Sequence, residues 1–178
     1  ESIETVPENL GEAKPTIVVS VPRLYEKMYS RIKDGLKEAP AFRRNLFWWA
    51  VDVGKKISIY KKSGKSVSVG LKIQHALANK LVYSKVKQRV GGNLRYFISG
   101  GAPLSQEIAE FFGAVNVTIL EGYGLTETSP VLTSNIPENI KFGYVGKPLF
   151  NVEIKIADDG EILARGPNIM KGYFNNEE

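Results

Sequence analysis

Cysteine is missing from all 178 residues, which excludes disulfides and any thiolate metal site. That absence fits a reducing compartment, and the expected location is cytoplasmic. Histidine occurs once, at His75, with no clustered carboxylates beside it, so zinc has too few ligands here. No apolar run approaches the ~18 residues that a membrane-spanning helix needs. Repeats and low-complexity tracts are also lacking. Acidic residues are scarce in one zone: residues 21–96 hold 18 Lys/Arg against 4 Asp/Glu, a local charge of +14, while the remainder carries −9. A basic zone can meet anionic lipid, nucleic acid or a phosphorylated cofactor, although solvated helix faces are its commonest origin. No helix-turn-helix, zinc-knuckle or RNA-recognition signature accompanies it, so nucleic acid is not an expected partner; a peripheral membrane contact is compatible with it.

What is present is a soluble globular composition, 43% hydrophobic and 24% charged. The length suits one sizeable core or a large piece of a bigger domain. The start at Glu1 and the close at Phe174-Asn175-Asn176-Glu177-Glu178 read as mid-sequence, so an excised fragment is expected.

The pattern along the chain predicts an α/β fold. Pro15 to Ser20 is a β-branched run and predicts a buried strand. Pro22 suits a first helical turn, and Tyr25, Met28, Ile32 and Leu36 follow at helical spacing. Residues 41–90 read as mainly helical. Phe42, Leu46, Trp49, Val53, Ile57 and Tyr60 form one apolar stripe, so both tryptophans are expected in the core. After a break at Ser63-Gly64-Lys65-Ser66, a helix over Leu71 to Val86 should turn Ile73, Leu77 and Leu81 inward. Leu94 to Ser99 and Val115 to Leu120 predict two strands flanking a helix with Ser105 as its N-cap, a parallel strand–helix unit. Asn116-Val117-Thr118 matches a glycosylation pattern but falls in the second of these strands. Val152 to Ile156 alternates, Asp158-Asp159-Gly160 is a turn, and Glu161 to Arg165 returns: an antiparallel hairpin. Two parts are expected, 1–135 as the α/β portion and 136–178 as the start of a smaller β subdomain.

Chemistry concentrates in two turns. Gly100 and Gly101, within Ser99-Gly100-Gly101-Ala102-Pro103, lack Cβ atoms, so a planar ligand can approach the backbone. By itself a Gly-Gly after a strand is more often just a tight connection. The second turn, Tyr123-Gly124-Leu125-Thr126-Glu127-Thr128-Ser129, groups a stackable ring, a hydroxyl for a phosphate oxygen and a carboxylate suited to Mg²⁺. A capped helix start would carry the same residues. In open α/β sheets ligands bind beyond the carboxyl ends of strands, where both turns are expected.

Together, Ser99-Gly100-Gly101-Ala102-Pro103-Leu104 and Glu121-Gly122-Tyr123-Gly124-Leu125-Thr126-Glu127-Thr128 resemble two core motifs of the adenylate-forming superfamily. Gly143-Tyr144-Val145-Gly146-Lys147-Pro148 and the stretch Gly160 to Tyr173 resemble the segment that follows. Val21-Pro22-Arg23-Leu24-Tyr25-Glu26-Lys27 and the basic helices are closest to long-chain fatty acid–CoA ligases. The resemblance implies part of that family's large domain, with 152–165 opening its small β-barrel. It implies that Gly101, Ala102 and Pro103 line an adenine pocket completed by Glu121, Gly122, Tyr123 and Gly124, that Thr126 contacts the α-phosphate, and that Glu127 ligates Mg²⁺. The acyl carboxylate would lie near Gly100, Gly101 and Gly124. The implied substrates are a fatty acid, ATP and CoA, with AMP and pyrophosphate released. Medium-chain or aryl acid ligases share these motifs. The family's phosphate loop with its Lys, its ribose-binding Asp and its C-terminal catalytic Lys have no counterpart in these residues, so the chain alone is expected to be inactive.

Overall fold

The computed structural model describes residues 5–176. Helix α1 (Val6–Ala13) leads to strand β1 (Ile17–Ser20) and helix α2 (Pro22–Lys37). Pro22 sits in the first turn of α2, where its missing N–H costs nothing. Helices α3 (Ala41–Lys62), α4 (Val69–Ala78) and α5 (Ser84–Arg89) follow, with a π-helical turn Asn79–Tyr83 joining the last two. Strand β2 (Tyr96–Ser99), helix α6 (Gln106–Ala114) and strand β3 (Ile119–Tyr123) complete the strand–helix–strand unit. Strands β4 (Thr133–Ser134) and β5 (Lys147–Pro148) are short, and β6 (Glu153–Ile156) and β7 (Ile162–Arg165) form the hairpin.

A five-stranded sheet runs β1-β2-β3-β4-β5. The first three strands are parallel, and β4 and β5 are antiparallel additions beyond β3. The β6–β7 hairpin is a separate two-stranded sheet, and the described residues close no barrel.

The core lies between the sheet and the helices. Tyr25 of α2 is fully buried, stacks edge-on against Phe97 of β2 and donates its hydroxyl to the Ile98 carbonyl at 2.9 Å. Burial raises its phenol well above the usual range. Tyr83 donates to the Ala50 carbonyl at 2.7 Å, tying the π-helical turn to α3, and burial pushes its phenol up to about 12. Tyr29, Phe47, Trp48, Phe111 and Phe112 form an aromatic cluster between α2, α3 and α6. Helix α3 crosses α6 where Gly54 meets the backbone: a Cβ there would lie 1.9 Å from the Ala114 carbonyl oxygen.

Four expectations shift. Strand β1 is an outer strand, and Ile17 and Val19, on the face opposite the core-packed Val18, are exposed, Val19 by 73%. In α4 the buried residues are Leu71 and Ala78, whereas Ile73, Leu77 and Leu81 face outward. Ser68 sets this phase by accepting from the Leu71 N–H at 3.3 Å, and the π-helical turn then rotates Val82 and Tyr83 inward. The apolar stripe of α3 is buried only in its middle, leaving Phe42 and Tyr60 exposed at its ends; of the two tryptophans Trp49 is partly buried against the core and Trp48 is exposed. Strand β3 starts at Ile119 rather than Val115. Helix α6 runs on to Ala114, its end is locked by the Val117 N–H on the Phe112 carbonyl, and Asn116 takes a left-handed turn at φ 63°. Asn116 is therefore exposed in a turn, not inside a strand.

The backbone crossing at Gly54 generates a stability prediction. Gly54→Ala should lower stability by ~1–3 kcal/mol, read as a fall in the urea midpoint. Gly35→Ala in α2, where an added Cβ meets nothing within 4 Å, should be neutral or slightly stabilising. Equal effects from both changes would refute the close-packed crossing.

Candidate active site

Parallel pairing of β2 with β3 builds the site. Ser99 is the register partner of Glu121, so both strands deliver their following turns to the same edge of the sheet. Gly100 then lies opposite Gly122: a Cβ on Gly100 would sit 3.9 Å from the Gly122 carbonyl oxygen. The Gly100 N–H is bonded to the Ser20 carbonyl at 3.1 Å, which anchors the turn to β1. Gly101 has φ +82° and only Val21 near its α-carbon face, so this backbone stays open to a ligand. Ala102 and Pro103 are exposed beside it, and Leu104 is buried beneath.

The second turn is built differently. Glu121, Gly122 and Tyr123 belong to β3 itself, with Gly122 and Tyr123 pairing to Ser134 and Thr133. At Gly124 the missing side chain makes room for the chain, not for open space: a Cβ there would lie 1.8 Å from the Pro130 carbonyl oxygen. Thr126–Thr128 form a 3₁₀ turn. Thr128 is buried and staples it: its hydroxyl accepts from the Leu125 N–H at 2.9 Å and lies within 3.0 Å of the Pro130 carbonyl. Thr126 is left exposed and Glu127 half-buried at the rim, while Ser129 turns the chain at φ 49°.

The structure therefore sets the first turn, at Gly100, opposite Gly122, where the second begins. It also adds residues to which sequence reasoning gives no role. Asn168 donates to the carbonyls of Thr128 (2.8 Å) and Val131 (3.0 Å), the Met170 N–H donates to the Glu127 carbonyl (2.8 Å), and the Tyr173 hydroxyl donates to the Glu127 carboxylate (2.5 Å). The one signal for this clasp in the sequence is a mixed stretch, Asn168-Ile169-Met170-Lys171-Gly172-Tyr173, with neither helical nor strand period.

Electrostatics separates the two carboxylates. Burial raises the Glu121 carboxyl above its usual range, and backbone hydrogen bonds at Gly143 and Leu104 offset part of that. The Tyr173 hydroxyl holds Glu127 below its usual range, so Glu127 is an anion at neutral pH. Among the described residues no group of three metal-ligating side chains exists. One free carboxylate next to a hydroxyl suits a cation that arrives with phosphate oxygens, since Mg²⁺ is commonly held by one or two carboxylates plus substrate phosphates. His75 lies elsewhere, 5.6 Å from the Tyr83 ring. Burial, with Lys61 nearby, keeps it below its usual pKa.

Comparison with known proteins agrees with this geometry. The sequence model for the family described as AMP-binding enzyme matches residues 2–174. A long-chain-fatty-acid–CoA ligase of Mycobacterium bovis is 39% identical over 169 residues, which is 95% of this chain and 28% of that protein. The peroxisomal long chain acyl-CoA synthetase 7 of Arabidopsis thaliana is 33% identical over 186 residues, covering 96% of this chain and 25% of that protein. Among solved structures, a benzoate CoA ligase from Burkholderia xenovorans superposes with a TM-score of 0.61 at 23% identity, over 99% of this chain and 28% of that one. The O-succinylbenzoate coenzyme A synthetase of Bacillus subtilis, in complex with ATP and magnesium, gives 0.56 at 22% identity with the same coverages. These two likenesses establish the fold. The chain spans about a quarter of the length of each relative.

The raised Glu121 carboxyl predicts a pH effect. The folded chain holds this proton more tightly than the unfolded chain, so the associated stability is present at acid pH and fades as pH rises through the raised value. Glu121→Gln removes that titration. Its melting temperature relative to the parent should be more favourable at about pH 7 than at about pH 4. The same difference at both pH values would contradict the assignment.

Proposed function

The chain belongs to the AMP-binding enzyme family, and from that membership we propose that it contributes the adenylate-forming part of a long-chain fatty acid–CoA ligase. Residues 1–135 serve as the α/β portion of the AMP-binding domain and 136–178 as the start of its β subdomain. The observation that supports the reading is the register of β2 against β3, which sets Gly100 opposite Gly122, at the head of the turn that carries Tyr123, Thr126 and Glu127. The identity to long-chain ligases favours a fatty acid over an aryl acid.

In this reading Gly101, Ala102 and Pro103 line one side of an adenine slot. Glu121, Gly122, Tyr123 and Gly124 form the other, with the Tyr123 ring against the base. The fatty carboxylate lies near Gly100, Gly101 and Gly124, in line with the α-phosphorus. Its oxygen bonds to that phosphorus as the bond to pyrophosphate breaks, giving acyl-adenylate. The CoA thiol then attacks the acyl carbon, AMP leaves with the bonding pair and the thiol proton is released. Thr126 donates to an α-phosphate oxygen. Glu127 holds Mg²⁺, which supplies charge neutralisation on the phosphates. Reactions of this kind depend on positioning and on preorganised charge, and the hydrogen-bonded turn around Thr128 supplies rigidity for both.

A membrane-surface contact is a second part of the proposal. No helix among the described residues is long and apolar enough to cross a bilayer. A groove of about 870 Å³ between α2, α3 and α5 is walled by Met28, Ile32, Leu46 and Val86. Arg43, Lys85 and Arg89 also line it, and no carboxylate does. Such a surface complements anionic lipid. Co-sedimentation should be stronger with vesicles rich in phosphatidylglycerol than with phosphatidylcholine vesicles, and should weaken in Arg43→Glu/Arg89→Glu. Equal binding to both vesicle types would refute it.

The enzyme assignment is tested in the complete protein carrying this sequence, by pyrophosphate release with ATP and fatty acids of several lengths. Turnover should appear with long chains and vanish in Glu127→Ala with the fold intact by circular dichroism. Silence with every carboxylate would overturn the assignment. Residues 1–178 alone should form no acyl-CoA.

A further inference from the structure

We propose that Tyr173 is a positioning residue for the Glu127 carboxylate, and that the segment 168–173 exists in part to hold that carboxylate aimed. This rests on the reading of Glu127 as the magnesium ligand. Glu127 stands on a three-residue 3₁₀ turn at the rim of the site, and its side chain has three rotatable bonds. Freezing such a side chain costs rotamer entropy, which weakens the hold on any cation it binds unless the order is supplied beforehand. The structure supplies it twice. The Met170 N–H fixes the Glu127 backbone carbonyl at 2.8 Å, and the Tyr173 hydroxyl donates to one carboxylate oxygen, Oε1, at 2.5 Å.

The two contacts arrive from the same short segment, 43 and 46 positions further along the chain. That segment is itself pinned, because Asn168 bonds the carbonyls of Thr128 and Val131 on the far side of the same turn. A tyrosine is suited to the role. It has two rotatable bonds and a rigid ring, and its hydroxyl donates to an anion without adding a charge that would repel a cation. With Oε1 held, the carboxylate is fixed in one orientation and still carries lone pairs for a cation. Hydrogen-bond partners of metal-ligating carboxylates orient their ligands in this way, and their loss typically costs about 10–100-fold in metal affinity.

The test uses the complete protein with Mn²⁺ as a paramagnetic probe and a non-hydrolysable ATP analogue. Tyr173→Phe keeps the ring and removes only the hydroxyl. Mn²⁺ affinity by electron paramagnetic resonance should fall about tenfold, while affinity for the analogue without metal and the melting temperature stay unchanged. In turnover, the Mg²⁺ requirement should rise and the KM for fatty acid should stay fixed. A merely structural tyrosine would lower the melting temperature and leave Mn²⁺ affinity alone, and that result would overturn the proposal. Glu127→Gln separates the two levels. If it weakens Mn²⁺ binding and Tyr173→Phe does not, the positioning role fails and the ligand stands. If neither moves it, the reading of Glu127 fails too.

Discussion

Everything at the site depends on one alignment, the parallel pairing of β2 with β3 that sets Ser99 beside Glu121. Because the side-chain period of a strand is two, a one-residue slip would turn Phe97 and Ile119 out of the core and carry the two glycine turns apart. Apolar burial fixes the register: Phe97 and Ile119 are almost wholly buried and are register partners. The site therefore inherits its geometry from the core beneath it. The Tyr25 hydroxyl reinforces this from the helical side by bonding the Ile98 carbonyl, one residue before the strand ends.

The two turns use glycine for opposite purposes. At Gly100 and Gly101 the absent side chains leave the backbone accessible. At Gly124 the absent side chain lets the chain fold back on Pro130, so Thr126 and Glu127 are projected by a turn with no slack. Thr128 and Asn168 then convert that turn into a hydrogen-bonded unit. An open rim beside a locked one suits a ligand that must be admitted and then held in one orientation.

Much of this was legible in the residues. Tyr25 and Met28 at helical spacing and the strand–turn–helix order around Gly100 reflect local burial and are found in place, and the hairpin predicted from Val152 to Arg165 forms, although its Ile156 is exposed. Three of the four shifts have a common cause, which part of an element the rest of the chain covers, and the fourth is a helix that runs on to Ala114. The apolar run Ile17-Val18-Val19 cannot say that it lies on the outside of the described sheet. Ile73 and Leu77 repeat as a buried stripe would, yet the Ser68 cap and the π-helical turn choose the stripe through Leu71 and Ala78. Met170 and Tyr173 reach Glu127, and Asn168 reaches Thr128 and Val131, across 37 to 46 positions, a separation at which no periodicity carries information.

The outer position of β1 has a consequence for handling the molecule. Its far side shows backbone donors and acceptors without a strand partner among the described residues, and Ile17 and Val19 stand exposed along it. Natural sheets guard such margins with inward-facing charge, proline or a bulge. Here the strand itself is Ile17-Val18-Val19-Ser20, with Pro15 two residues ahead of it. A polypeptide with that margin uncovered can recruit a second copy edge to edge, a hazard set by backbone pairing and not by any side chain of the candidate site.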